Sequence, residues 1–299
     1  MNRNYKLYKD SDLSEDQIES DVASYLGFIT PFWSKRFRLK SVDEQLTGAD
    51  KLFDRFIPLY LQFKVSQGLK PLSVSFNLKS PDRPLQRIRT FRRSNNITAD
   101  PTLYFRLRDK ARTAIDFQHN ILKSLHNPPF QFALYIAPLT LSIDEYNSSL
   151  ELSMTSRFLG FNPFIHRNET LFTESLRQQI GLIPFLRGHI SIPPHEIVTT
   201  SEHYYSYSKA GTNIAWHSGT KLLGDFRLST QIINIYKNVY LNNESTFNQE
   251  RYINFIDEFY KVQRVNQPLA STEYKILNFA NYLKLEHNIK LMLLSIDKQ

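Results

Sequence analysis

The segment Leu59-Tyr60-Leu61-Gln62-Phe63-Lys64-Val65 constrains the fold more than any other, because an amide and an amine interrupt an apolar run. Eleven of the residues from Leu46 to Val65 are apolar, so this region reads as buried strand. Side chains alternate along a strand, so Gln62 and Lys64 share one face while Leu61, Phe63 and Val65 take the other. Charge inside a sheet is costly unless it is paired or bound to metal. Gly48-Ala49-Asp50, with its acid twelve residues before Gln62, puts a carboxylate within the same stretch.

A chain of 299 residues with 41% hydrophobic and 22% charged residues can bury a sizeable core as one domain or two. No apolar window approaches the ~18 residues of a membrane span, so no membrane partner is expected. The polar start Met1-Asn2-Arg3-Asn4-Tyr5-Lys6 gives no secretory signal, and a cytoplasmic address is the expectation. The absence of cysteine excludes disulfides, thiolate zinc sites and thiol catalysis. Histidines at 189, 195, 203 and 217 lack zinc-ligand spacing. No phosphate loop, dinucleotide fingerprint or serine elbow occurs.

Between Arg83 and Arg112 nine basic residues face two acids, which accounts for most of the net charge of +8. Either this span is a solvated loop, or Arg83, Arg87, Arg89, Arg92 and Arg93 track phosphates, for which the planar guanidinium is suited. Elsewhere, Ser14-Glu15-Asp16-Gln17 is a capping box for a helix carrying Ile18, Val22, Tyr25 and Leu26. Residues 32–39 read as a first strand, and 45–53 with 58–65 as a hairpin. The span 79–101 reads as loop and 103–108 as a strand. A helix over 111–125 follows, with Gln118 on its apolar stripe, and then a central strand over 130–139. The second half predicts helices at 144–154, 171–180, 231–241, 248–265 and 271–294, and a hairpin at 203–208 and 213–217. Residues 1–140 form the expected core, with a basic insertion at about 70–101. Residues 141–299 form an α-rich extension packed on it as one unit.

An acid on a leading helix, then Gly-x-Asp at 48–50, then Gln62-Phe63-Lys64, resembles the PD-(D/E)xK, restriction-endonuclease-like nucleases. The resemblance covers under half of the chain. It implies an α/β (α+β) fold with an αβββαβ core around a mixed central sheet. It also implies that Asp50 binds Mg2+ or Mn2+, with Gln62 or the Phe63 carbonyl beside it as second ligand and Lys64 as the lysine of the motif. Glu15 is the preferred helix acid and Glu19 its substitute, and Gln118 is a residue adjacent to the site. Gln62 departs from the commoner acid, which weakens metal binding and leaves a catalytically inactive nucleic-acid-binding protein as the alternative. The expected substrate is DNA, with RNA the other option, in defence against foreign nucleic acid. Sixteen Tyr and 22 Phe leave room for a homo-oligomer or a protein partner in such a defence complex.

Overall fold

A computed structural model describes residues 8–28, 38–42, 55–69, 83–97, 101–110, 114–158, 170–173, 176–179, 184–217, 219–241, 246–265 and 272–295. In chain order the elements begin with β1 (Tyr8–Lys9), α1 (Glu15–Phe28), β2 (Arg38–Ser41), β3 (Phe56–Phe63) and β4 (Gln67–Leu69). Next come α2 (Arg83–Ser94), β5 (Thr102–Arg106), α3 (Gln118–Ser124), β6 (Phe132–Pro138) and α4 (Ile143–Phe158). The strands β7 (Thr170–Thr173) and β8 (Leu176–Gln179), helix α5 (Pro184–Arg187) and strand β9 (His189–Ile192) follow. The rest is β10 (Tyr204–Ser208), β11 (Ala215–Trp216), β12 (Thr220–Lys221), α6 (Leu228–Leu241), α7 (Gln249–Val262), α8 (Thr272–His287) and β13 (Lys290–Ser295).

Two sheets organise these elements. The first is mixed, in the order β2-β13-β3-β6-β9, with β3 and β6 parallel and the other pairs antiparallel. The second is antiparallel, in the order β1-β4-β5-β10-β11-β12. The odd residues Ile57, Leu59, Leu61 and Phe63 of β3 join Ile18, Val22 and Tyr25 of α1, Phe185 of α5 and Leu228 of α6 in one core. Phe56 and Tyr60 face the other core, which holds the inner face of the second sheet and α3, α7 and α8. Period-two alternation therefore sends β3 into two cores at once.

The chain passes from the first sheet to the second within three residues, Lys64 to Ser66, since β3 lies in one and β4 in the other. That crossover is fastened at both ends. Lys64 N–H donates to the Ile136 carbonyl at 2.8 Å. Buried Ser66 Oγ donates to the Pro138 carbonyl and lies 2.7 Å from Tyr207 Oη of β10.

Several sequence expectations change here. β13 pairs with β3 over Phe56–Leu61 and β6 pairs over Leu59–Phe63, so from Leu59 to Leu61 both edges of β3 are taken. The expected 45–53/58–65 hairpin therefore has no edge to use along that stretch, and residues 45–53 lie outside the described residues. The last helix stops at His287, because Asn288 at φ 49° takes the left-handed turn and Ile289 N–H closes on the Leu283 carbonyl. The residues after it become β13, between β2 and β3 of the first sheet. Residues 170–179 contain an antiparallel strand pair instead of a helix. The expected 111–125 helix spans only Gln118–Ser124, and Ile115 is 58% exposed. Strands from both sides of residue 140 share each sheet, so the carboxyl half is not simply α-rich.

Candidate functional site

The parallel strands β3 and β6 end on the same edge of the first sheet, where Lys64 leaves β3. Helix α1 begins at that edge because Ser14 Oγ accepts from Gln17 N–H at 3.1 Å, which fixes its first turn. Glu15, the first residue of α1, then meets Lys64, with Oε1 3.6 Å from Nζ. Only 7% of the Lys64 side chain is exposed, against 38% for Glu15. Burial holds the Lys64 pKa below the usual lysine value, Glu15 pulls it back up, and the charge of Arg108 lowers it further.

A second acid extends this into a polar chain. Glu19 receives Lys284 at the end of α8 and lies 3.8 Å from Lys290 at the start of β13. Asn288 joins the two halves, donating Nδ2–H to Glu15 at 3.3 Å and accepting from Lys284 Nζ at 2.8 Å. The left-handed backbone that ends α8 is what presents this amide, and asparagine tolerates it without a glycine. Lys284, Asn288 and Lys290 were not legible as site residues from the sequence. The one available signal was Asn288 as a helix terminator, obscured by the apolar residues that follow it.

Gln62 is fully buried on β3, opposite Tyr135 of β6 in register. Among the described residues neither its Nε2 nor its Oε1 has a hydrogen-bond partner. Gln118 donates Nε2–H to the His287 carbonyl, one of the last carbonyls of α8, and so fixes the turn that carries Asn288. The structure thus brings Glu15, Lys64, Asn288 and, through Gln118, the end of α8 to one place. Glu19 lies beside them but holds lysines 284 and 290. Asp50 lies outside the described residues.

The basic span differs from expectation more sharply. Residues 83–94 form the helix α2, and Leu85 and Ile88 pack on Leu69, Tyr104 and Tyr204 of the second sheet. Arg92 is fully buried beneath it, donating Nη1–H to Ser206 Oγ at 2.8 Å and to the Asn213 carbonyl at 3.0 Å. Burial lowers its pKa to about 10, and it also helps hold His217, 2.7 Å from Ser206 Oγ, down to about 3. Arg92 is therefore a packing residue and not a phosphate ligand. Arg87 and Arg93 are exposed and Arg89 is half-buried, while Arg83 opens the helix.

Next to the site, His119 stands in a column of rings. It stacks on Tyr135 at 5.7 Å and on Trp216 at 5.4 Å, and Trp216 stacks on His203 at 5.0 Å. The Glu196 carbonyl 2.6 Å from Nε2 can only accept, so Nε2 carries the proton and Nδ1 accepts from Tyr135 Oη at 2.8 Å. Burial lowers the His119 pKa to about 4, which keeps this neutral tautomer at neutral pH. A cavity of about 260 Å3 opens beyond β6, between Thr140, Glu145, Arg187, Lys209 and Arg227, and is lined by none of Glu15, Gln62 or Lys64. Among the described residues no group of three or more His, Asp or Glu side chains is placed to hold a metal ion. No helix among them is long and apolar enough to cross a membrane. Compared with protein-family models, curated proteins and solved structures, the chain matches none.

Proposed function

We propose that this protein is a divalent-metal-dependent nuclease that hydrolyses phosphodiester bonds of DNA, working at the edge of the first sheet where Lys64 meets Glu15. The observation that supports it is a lysine buried at the end of the central strand and held by a carboxylate from the leading helix, preceded on that strand by a buried amide that has no partner among the described residues. A lysine ammonium is costly to bury, so stability alone does not account for Lys64 at this position.

The available donors are all oxygens, which suits Mg2+ or Mn2+ in kind. Asp50, Gln62 and Glu15 would hold the ion. Once bound, it would supply positive charge for the phosphate oxygens as the bond breaks. Lys64 would orient the attacking water and stabilise the charge that develops. Its lowered pKa brings it closer to a group that exchanges a proton at working pH. Asn288 and Gln118 position Glu15 and the turn behind it.

A second reading is favoured by one specific observation. Glu15 and Glu19 are matched by Lys64, Lys284 and Lys290, so the described part of the site carries no surplus of negative charge to draw a cation. That balance fits a nucleic-acid-binding protein without cleavage, which retains the fold but not the chemistry. The two readings separate in one assay, with plasmid and single-stranded DNA incubated with Mg2+ or Mn2+. The nuclease reading expects cleavage that falls by about 10²–10⁴-fold in Lys64→Ala and disappears in Asp50→Ala. Cleavage unchanged in both variants, or none by the native chain, would remove it.

A further inference from the structure

The cavity beyond β6 is a second constellation, apart from the edge where Lys64 meets Glu15. It holds about 260 Å3, just under the ~300–1,000 Å3 of small-molecule sites, which suits a small ligand and not a polynucleotide. Five separate stretches build its wall: the end of β6, the first turns of α4, the turn from α5 into β9, the β10–β11 turn and the residue before α6. Those stretches are fastened to one another. Leu139 N–H donates to the Gly188 carbonyl at 2.7 Å, and Thr140 Oγ1 donates to Glu145 at 2.7 Å. Gly211, at φ 71°, packs so closely that a side chain there would meet Arg227 and Leu139. The wall is therefore set before any ligand arrives.

The polar groups of that wall differ in what they have left to offer. Lys209 Nζ lies 2.8 Å from Glu145 Oε1 and 2.9 Å from Oε2, so the carboxylate takes at most two of its three N–H donors. Lys209 and Thr140 hold Glu145 below the usual carboxylate range, so it stays ionised and keeps the ammonium in place. Arg227 donates Nη2–H to the Ala210 carbonyl at 2.7 Å, and among the described residues no other acceptor takes its Nε or Nη1. Arg187 lines the cavity too, and other groups of the fold engage it. Even without Arg187, two cations line the cavity against one carboxylate. At the buried side stands His189, 1% exposed, with its ring held edge-on by Phe185 at 4.8 Å and Tyr146 at 5.6 Å. Its Nδ1–H donates to the Phe185 carbonyl at 2.8 Å, so Nε2 keeps a lone pair, and that atom has no partner among the described residues. Burial lowers the His189 pKa to about 4, which keeps the ring neutral.

We infer that this cavity binds a small phosphate monoester carrying a hydroxyl group, with Arg227 and Lys209 on the phosphate oxygens and His189 Nε2 accepting from the hydroxyl. A phosphate suits the two cations because its oxygens can meet a planar fork and a point charge on one centre. A neutral imidazole nitrogen without a proton only accepts, so the far end of the ligand has to bring the hydrogen. None of Glu15, Gln62 or Lys64 lines this cavity, so its ligand is independent of the nuclease reading.

The test is isothermal titration calorimetry on the full chain without divalent metal, using glycerol 3-phosphate, ribose 5-phosphate and methyl phosphate as probes. The native chain is expected to bind at least one of the two hydroxylated esters with a Kd below ~1 mM, and methyl phosphate at least ~10-fold more weakly. Hydrogen bonds to charged groups are worth about 10–100-fold, so Lys209→Gln and Arg227→Gln are each expected to weaken the ester by ~10-fold or more. Lys261→Gln, on α7, is the control and is expected to stay within ~3-fold. His189→Phe keeps a ring and loses the acceptor, and is expected to erase the preference over methyl phosphate. Circular dichroism reports whether each variant keeps the fold. Should Arg227→Gln or His189→Phe unfold, Lys209→Gln still reads the phosphate end, since that side chain is 47% exposed, and methyl phosphate on the native chain reads the hydroxyl end. No saturable binding of any probe up to ~10 mM would overturn the inference. So would ester binding unchanged in Lys209→Gln, an equal loss in the control, or methyl phosphate bound as tightly as the hydroxylated esters.

Discussion

At the scale of single residues, Lys64 shows where this chain gives up stability. The Lys64 ammonium is buried, and its partner Glu15 lies 3.6 Å away, a loose contact that repays little of the desolvation cost. Replacing Lys64 by methionine keeps the stem and removes the charge, and Glu15, 38% exposed at its side chain, can stay hydrated. The expected result is a Tm raised by about 2–4 °C together with loss of cleavage, measured by calorimetry and by the plasmid assay. A fall in Tm would mean that the ion pair is net stabilising and that Lys64 is kept for structure. The relation of Gln62 and Lys64 was legible from alternation alone. What alternation could not supply was that Asn288, from the far end of the chain, links Glu15 to Lys284.

At the scale of elements, α2 and β13 carry the largest departures from the sequence reading. Arginine is a good helix former, and Leu85 and Ile88 supply an apolar stripe, but the charge density of the span reads as solvated loop. Only the second sheet, by offering Tyr104, Tyr204 and Ser206 to that stripe, decides the matter. The energetic consequence is testable at Arg92. Arg92→Ala removes the buried stem and leaves the Asn213 carbonyl without this donor, so a loss of about 2–4 kcal/mol in denaturant unfolding is expected. Arg92→Met restores the stem without a charge whose Nε and Nη2 have no partner among the described residues, and is expected to recover at least half of that loss. If the Met variant is no better than Ala, the hydrogen bonds and not the packing hold α2 in place.

At the scale of the whole molecule, the two sheets enclose histidines that fold in their neutral form. His119, His126 and His189 are lowered to about 4 and His217 to about 3, in each case first by burial. Their folded-state values lie below the 6.5 of an unperturbed histidine, so the unfolded chain takes up protons first as pH falls. Their contribution to stability is complete above about pH 6.5 and is lost progressively between 6.5 and about 4. Thermal melts across that range are expected to show a steep, reversible drop in Tm. His119→Phe, which keeps a stacked ring but cannot be protonated, is expected to make the curve shallower even if its Tm at neutral pH is lower. A flat profile from pH 7 to 4 would contradict the burial of these rings.

By itself the sequence determined what local physics can encode. The Ser14 cap starts α1, the alternation over 103–108 and the apolar run over 130–139 form β5 and β6, and the pattern at 204–208 and 215–216 forms a hairpin. It also placed an amide and an amine on one face of a buried strand. Only the tertiary structure decided which strands become neighbours. The run Lys290–Ser295 is apolar enough to continue a helix or to form a strand, and neither its propensity nor its period separates the two. It becomes β13 because β2 and β3 offer it open hydrogen-bonding edges on both sides, and because its alternate residues then fill both cores. Pairing of that kind joins residues more than two hundred positions apart, a relation that no local pattern can carry.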